Sequence, residues 1–137
     1  MLRVPTYLAP SPIAGMGLFS SRSLPPGEVI WEFTEGVDWR ISPTELELFP
    51  EPFKARLRHY VYLEESGFFV LCGDNGKFMN HSDTPNCDDP DGAHTVTRRR
   101  IKAGEELTCD YRLFDVEAKL SGLRFGPESI PPIPPQG

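Results

Sequence analysis

The first forty residues alternate between short apolar segments and turn residues. Four segments carry the period-two alternation and the β-branched or aromatic residues that are typical of strands. The step Pro25-Pro26-Gly27 separates the second segment from the third. We therefore predict short strands over Thr6–Ala9, Gly17–Ser20, Val29–Phe33 and Val37–Ile41.

Two short helices are predicted next. Ser42 has the side chain of an N-cap, Pro43 fits the first helical position, and Glu45 completes a capping box. Pro50 and Pro52 follow and end this segment. A second helical segment is predicted over Phe53–Arg58.

A hairpin and a long stretch without periodicity come after the helices. Tyr60–Glu64 and Phe68–Cys72 flank Glu65-Ser66-Gly67, which predicts two strands and a turn. From Gly73 to Gly92 the chain has almost no periodicity but keeps several apolar residues, which favours an ordered and functional loop. The remaining predictions are strands over Thr95–Arg99 and Glu106–Cys109 and a helix over Val116–Leu120.

Composition narrows the fold class. The chain has 137 residues, enough for one domain with its own core, and contains 12 glycines and 15 prolines. So many helix-breaking residues exclude a helical bundle and favour a mainly β fold with many turns. No apolar run is long enough to span a membrane, and the start of the chain lacks the apolar stretch of a signal peptide.

Charge and cysteine content limit the partners. The net charge of −6 and the short basic run Arg98–Arg100 do not favour direct nucleic-acid binding, whereas an acidic surface favours a basic protein or peptide. We predict that the basic run is a solvated strand end. The odd, widely spaced cysteines fit neither a disulfide framework nor a zinc site, so we expect a cytoplasmic protein without a metal.

Three motifs contain residues suited to chemistry. The glycines of Gly15-Met16-Gly17 allow a backbone to approach a ligand closely. Asn80-His81 offers amide donors, an amide acceptor and an imidazole, which can bind the edge of a heterocycle. Tyr111 follows a predicted strand and places a hydroxyl at its end. Taken singly, each motif also has a purely structural explanation: a turn, satisfied loop amides and a core tyrosine.

Together, the motifs resemble a known family. The ordered series GMGLF, KFMNHSDTPNC and GEELTCDY, within Thr6–Tyr111, resembles the SET-domain protein lysine methyltransferases, in particular the small stand-alone proteins of bacteria and viruses. The resemblance implies a mainly β fold, the β-clip of small sheets, with a pseudoknot-like threading and a few short helices. It also implies a SET domain over residues 1–121 and a Pro-rich tail over residues 122–137, without zinc.

The resemblance also implies roles for individual residues. S-adenosylmethionine is the implied cofactor and Tyr111 the implied catalytic residue. Cofactor contacts are implied for Gly15, Met16, Gly17, Lys77, Phe78, Asn80, His81 and Tyr111, and a substrate channel for Phe33, Thr34 and Phe114. The segment after Tyr111, or a second copy of the chain in a homodimer, would supply the aromatic lid.

Two functions remain open at this point. The first is transfer of a methyl group from S-adenosylmethionine to a lysine of a basic protein or peptide. The alternative is a catalytically silent SET module that binds a peptide or the cofactor. Thr34 and Asp88-Asp89 stand where relatives often have channel tyrosines, and this favours the alternative.

Overall fold

The computed structural model describes residues 1–121, so the expectations for the tail over residues 122–137 lie outside the described residues. The elements of the described part are short. Its strands are β1 (Thr6–Pro10), β2 (Met16–Ser20), β3 (Val29–Glu32), β4 (Trp39–Ile41), β5 (Tyr62–Leu63), β6 (Phe69–Leu71), β7 (Asn80–His81), β8 (Cys87–Asp88), β9 (His94–Thr97) and β10 (Thr108–Cys109). Its α-helices are α1 (Pro43–Leu48), α2 (Phe53–Tyr60) and α3 (Val116–Ser121).

The strands form small sheets rather than one large sheet. β1 pairs with β2, and β4, β6 and β5 form an antiparallel sheet in that order. β9 lies between β3 and β8, while β7 and β10 form a parallel pair. The predicted mainly β fold of small sheets with few short helices is confirmed. No helix among the described residues is long and apolar enough to cross a membrane.

The helix starts follow from local chemistry. The Ser42 hydroxyl accepts a hydrogen bond from the backbone N–H of Glu45 at 3.1 Å, and Pro43 occupies the first turn. The Glu45 carboxylate accepts in turn from the Ser42 hydroxyl, also at 3.1 Å. These hydrogen bonds confirm the predicted N-cap. It could be predicted because its signals lie within four consecutive residues. Leu46 of α1 and Leu57 of α2 bury their side chains in a small core with Ile41.

The predicted hairpin is present, but its first strand is shorter than expected. Tyr62 pairs with Val70 and Leu63 with Phe69, and Gly67 turns the chain with a φ of +91°. The predicted start of this strand at Tyr60 is wrong, since α2 continues to Tyr60. The Val61 N–H donates to the Leu57 carbonyl and completes the last helical turn.

The aperiodic stretch from Gly73 to Gly92 is ordered through elements too short to produce a periodic pattern. It contains a 3-10 helix over Asn75–Phe78 and the two-residue strands β7 and β8. Their apolar neighbours pack into the main core. This core joins Leu18 of the first motif with Met79 and Cys87 of the second and Leu107 and Cys109 of the third. Folding of one core therefore brings the three sequence motifs together.

Gly73, the first residue of this stretch, makes a tight contact. Its N–H donates to the buried carboxylate of Asp38 at 3.1 Å, and a Cβ at position 73 would lie 1.6 Å from the Val37 carbonyl oxygen. We expect Gly73→Ala to lower the free energy of unfolding by about 1–3 kcal/mol through overpacking. Chemical denaturation measures the loss, and an unchanged midpoint would contradict this account of the contact.

Candidate active site

The parallel pair of β7 and β10 sets the geometry of the site. Asn80 lies opposite Thr108 and His81 opposite Cys109, and the Ser82 N–H donates to the Cys109 carbonyl at 3.0 Å. The second motif therefore runs beside the strand that leads into Tyr111. The structure brings these two predicted parts of the site into direct contact.

Asn86 fixes the register of this pairing from the buried side. Its amide nitrogen donates to the Glu106 carbonyl at 2.8 Å, and its amide oxygen accepts from the Thr108 N–H at 2.9 Å. The Thr108 hydroxyl oxygen accepts from the Asn86 N–H at 3.2 Å. Because these buried polar groups satisfy one another, the loop between β7 and β8 is held against β10.

Asn80 connects the second motif to the first. Its amide nitrogen donates to the Ala14 carbonyl at 3.1 Å and to Oε2 of Glu106 at 2.8 Å. Both amide hydrogens are used, so the orientation of the side chain is fixed. In the part of the chain that the structure describes, the amide oxygen has no hydrogen-bond partner. It is therefore available to a ligand.

Glu106 is a site residue to which the sequence reasoning gave no role. Both of its carboxylate oxygens accept from the Ser11 hydroxyl at 2.8 Å, and one also accepts from Asn80. A Cβ on Gly17 would lie 2.4 Å from the same carboxylate, so a side chain at this position would displace the carboxylate. The partners of Glu106 are far away in sequence. No local pattern could have revealed the contact.

His81 links the second motif to Tyr111. Its Nδ1 accepts from the Tyr111 backbone N–H at 3.1 Å, which places the proton of a neutral ring on Nε2. Nε2 lies 2.9 Å from a carboxylate oxygen of Asp83, to which it can donate. The ring is buried and contacts the Tyr111 ring edge to face, with the centroids 5.4 Å apart. His81 therefore positions both the backbone and the ring of Tyr111.

The Tyr111 hydroxyl points into the interior. It donates a hydrogen bond to the Met79 carbonyl, and burial raises the pKa of the phenol well above its usual range. The group is therefore neutral at any working pH. A phenol hydroxyl that donates its hydrogen in this way is by its chemistry also an acceptor through its oxygen.

An aromatic cluster of Tyr62, Phe114 and Tyr111 lines one side of the site. Phe114 packs edge to face on Tyr62 with centroids 4.9 Å apart, and on Tyr111 at 5.7 Å. A carboxylate oxygen of Asp115 accepts from the Leu63 N–H at 3.2 Å and so ties β5 to this cluster. Sequence reasoning missed Tyr62, because only the hairpin brings it there.

The other predicted channel residues lie elsewhere in the fold. Phe33 packs beneath the Arg40 guanidinium, 3.8 Å from the ring centroid, and edge to face on Trp31. The Thr34 backbone N–H donates to the Asp38 carboxylate, and its hydroxyl to the Glu32 carbonyl. Neither side chain belongs to the aromatic cluster. Their role in a channel stays a prediction.

The remaining predicted cofactor residues border the Asn80 side of the site. Gly15 has a φ of +47° with open space where a side chain would lie, and Met16 is exposed. The Lys77 ammonium donates to the Asp74 carbonyl at 3.2 Å and lies over the Phe78 ring. Phe78 contacts Tyr60 edge to face. A ligand can approach the exposed loop at Met16.

Comparison with known proteins agrees with this geometry. The sequence model of the SET domain matches residues 15–112, which contain all three motifs. The chain belongs to the SET-domain family. The SET domain is 29% identical over 119 residues to the human protein Histone-lysine N-methyltransferase 2D, and 32% identical over 120 residues to Histone-lysine N-methyltransferase trr of Drosophila melanogaster. Each match covers 81% of this chain.

These relatives are much larger proteins, since the matches cover only 2% of the human protein and 5% of the Drosophila protein. The SET domain also superposes on the crystal structure of PFL0690c, a candidate histone methyltransferase of Plasmodium falciparum, with a TM-score of 0.57 and 21% identity. That match covers 80% of this chain and 95% of the Plasmodium chain. At this identity the likeness shows the shared fold.

Proposed function

We propose that this SET domain is a protein-lysine methyltransferase that uses S-adenosylmethionine. Three hydrogen bonds carry the proposal. Asn80 bonds to Glu106 and to the Ala14 carbonyl beside the GMG loop, and His81 bonds to the Tyr111 backbone. It joins an exposed glycine loop, a free amide acceptor and a buried neutral hydroxyl in one place. The names of the relatives support lysine as the group that is methylated.

The residues of the site fit the proposed cofactor. The amino-acid end of the cofactor carries an ammonium group. The free amide oxygen of Asn80 can accept a hydrogen bond from this group, and the nearby Glu106 carboxylate can stabilise its charge. The open space at Gly15 and the exposed loop at Met16 leave room for a bulky ligand. Bound in this way, the cofactor supplies a methyl group on a sulfonium sulfur.

The chain contributes positioning to this chemistry. Methyl transfer is an in-line displacement, so alignment of the amine with the methyl group supplies much of the rate. The Tyr111 hydroxyl oxygen, fixed by its bond to Met79, can accept a weak C–H···O contact from the methyl group and orient it. Lysine must attack as the neutral amine, although its free pKa is about 10.4. Enclosure by Tyr62 and Phe114 favours the neutral amine through desolvation.

Isotope transfer tests the proposal. The enzyme is incubated with a cell lysate and S-adenosylmethionine labelled in the methyl group, and labelled lysines are found by mass spectrometry. We expect label on lysine side chains of basic proteins. Binding of the cofactor without any transfer would instead support the silent module. A folded protein that binds no cofactor would contradict the methyltransferase and leave only a peptide-binding module.

The acidic surface predicts salt-sensitive substrate binding. With a net charge of −6, the enzyme should attract a basic peptide through long-range electrostatics. Such attraction is screened over a Debye length of about 8 Å at 0.15 M salt. We therefore expect the apparent KM for a basic peptide to rise with ionic strength while kcat changes little. Steady-state kinetics with a neutral lysine peptide as control measure this, and a salt-independent KM would contradict it.

A further inference from the structure

A cleft of 390 Å³ opens beside the aromatic cluster. Phe114 belongs to both, because it lines the cleft and packs on the rings of Tyr62 and Tyr111. Its lining combines apolar surface with charged groups, among them Arg40, Glu64, Asp89 and Lys119. This lining suits a ligand that has both an apolar part and a charged end.

Most charges in the lining are already paired. The Arg40 guanidinium contacts the Glu64 carboxylate at 2.8 Å, and the Lys119 ammonium lies 3.6 Å from the Glu65 carboxylate. Asp91 pairs with His94 at 2.7 Å. These groups at the rim are therefore largely neutralised by their neighbours.

Asp89 differs from the other charged residues of the cleft. It is only 8% exposed, and one of its carboxylate oxygens accepts from the Gly92 N–H at 2.7 Å. Within residues 1–121 its other oxygen has no hydrogen-bond partner, and no basic group forms an ion pair with it. Burial raises the pKa of this carboxyl to about 6, and the neighbouring Asp88 and Asp91 add to the shift. At neutral pH the group is still mostly ionised.

A buried carboxylate without a cation is costly, and a cation that enters the cleft would relieve this cost. We infer that the cleft receives the target lysine of the substrate and that the Asp89 carboxylate binds its ammonium group. Phe114, which lines the cleft, would pack against the methylene groups. This assignment rests on the proposed function, and it makes Asp89 a determinant of substrate affinity.

The contact predicts a particular kinetic signature. Asp89 binds the ammonium form, whereas methyl transfer requires that the lysine first lose a proton. The contact therefore stabilises the bound ground state and not the transition state. Asp89→Asn should raise KM without lowering kcat. A substitution that only disturbed the fold would lower kcat as well.

A double-mutant cycle tests the contact directly. Two synthetic peptides are compared that differ in one residue: lysine, or norleucine, which keeps the four side-chain carbons of lysine but lacks the ammonium group. Their affinities for the wild type and for Asp89→Asn are measured by calorimetry with demethylated cofactor present. The asparagine keeps the acceptor for Gly92, and Glu51→Gln serves as a control loss of charge at an exposed position outside the lining of the cleft.

We expect the wild type to prefer the lysine peptide about tenfold, as for a close charge pair, and Asp89→Asn to lose most of this preference. Glu51→Gln should keep it. Equal weakening of both peptides by Asp89→Asn would overturn the assignment. A dependence on Asp89 that appears only in peptides with an arginine beside the lysine would also overturn it, since Asp89 would then bind that flanking arginine. Failure of methyl transfer by the wild type would instead count against the proposed function.

Discussion

Asn80→Ala should abolish most of the stabilisation that S-adenosylmethionine gives the SET domain. A ligand at a hundredfold excess over its Kd stabilises the native state by about 2.7 kcal/mol. The alanine removes the free amide oxygen and leaves Glu106 and the Ala14 carbonyl without their shared donor. The binding site and the loop that carries Gly15 and Met16 are both affected. Thermal unfolding with and without the cofactor measures the change.

Two further variants show whether the loss is specific. Asn75→Ala removes the same side chain from an exposed position in the 3-10 helix and should keep the full stabilisation. Glu106→Gln retains hydrogen-bonding groups but removes the negative charge, so the stabilisation should fall by less than in Asn80→Ala. If well-folded Asn80→Ala is stabilised as strongly as the wild type, Asn80 does not hold the cofactor.

The elements that could be predicted from the sequence depend on neighbouring residues. The N-cap of α1 needs only Ser42, Pro43 and Glu45, and the hairpin turn needs Gly67. The motifs around Asn80 and Tyr111 are equally local, and their resemblance to a family gave the fold. The predicted ends of the strands agree less well with the structure. Tyr60 fits a strand or a helix by its own preference, and the hydrogen bonds of α2 decide in favour of the helix.

The residues that sequence reasoning missed obtain their roles from long-range packing. Glu106 contacts Ser11 across 95 positions, and Tyr62 meets Phe114 across 52 positions, beside the hydrogen bond from the Leu63 N–H to Asp115. From the sequence, Asp89 stands where relatives often have a channel tyrosine. Its burial beside a cleft is visible only in the fold. A single sequence without an alignment contains no signal for such contacts.

Tyr111→Phe should reduce the rate of methyl transfer while cofactor affinity stays nearly unchanged. The phenylalanine keeps the ring contacts with His81 and Phe114. It removes the hydroxyl oxygen that we propose orients the methyl group, a loss comparable to that of one oxyanion-hole donor, about 2–4 kcal/mol of barrier. This corresponds to a decrease of about 30-fold to 1,000-fold in kcat. The Met79 carbonyl also loses its donor, so the free energy of unfolding should fall by about 1 kcal/mol.

Single-turnover kinetics separate this catalytic role from a structural one. Because burial keeps the Tyr111 phenol protonated, the pH profile of the Phe variant should have the shape of the wild-type profile at a lower rate. Tyr7→Phe is the matched control, since Tyr7 is exposed and stacks on Phe19 away from the site. It should transfer methyl groups at the wild-type rate. A folded Tyr111→Phe variant with the same single-turnover rate as Tyr7→Phe would mean that Tyr111 is only a packed core residue, and that the orientation of the methyl group comes from other groups in the site.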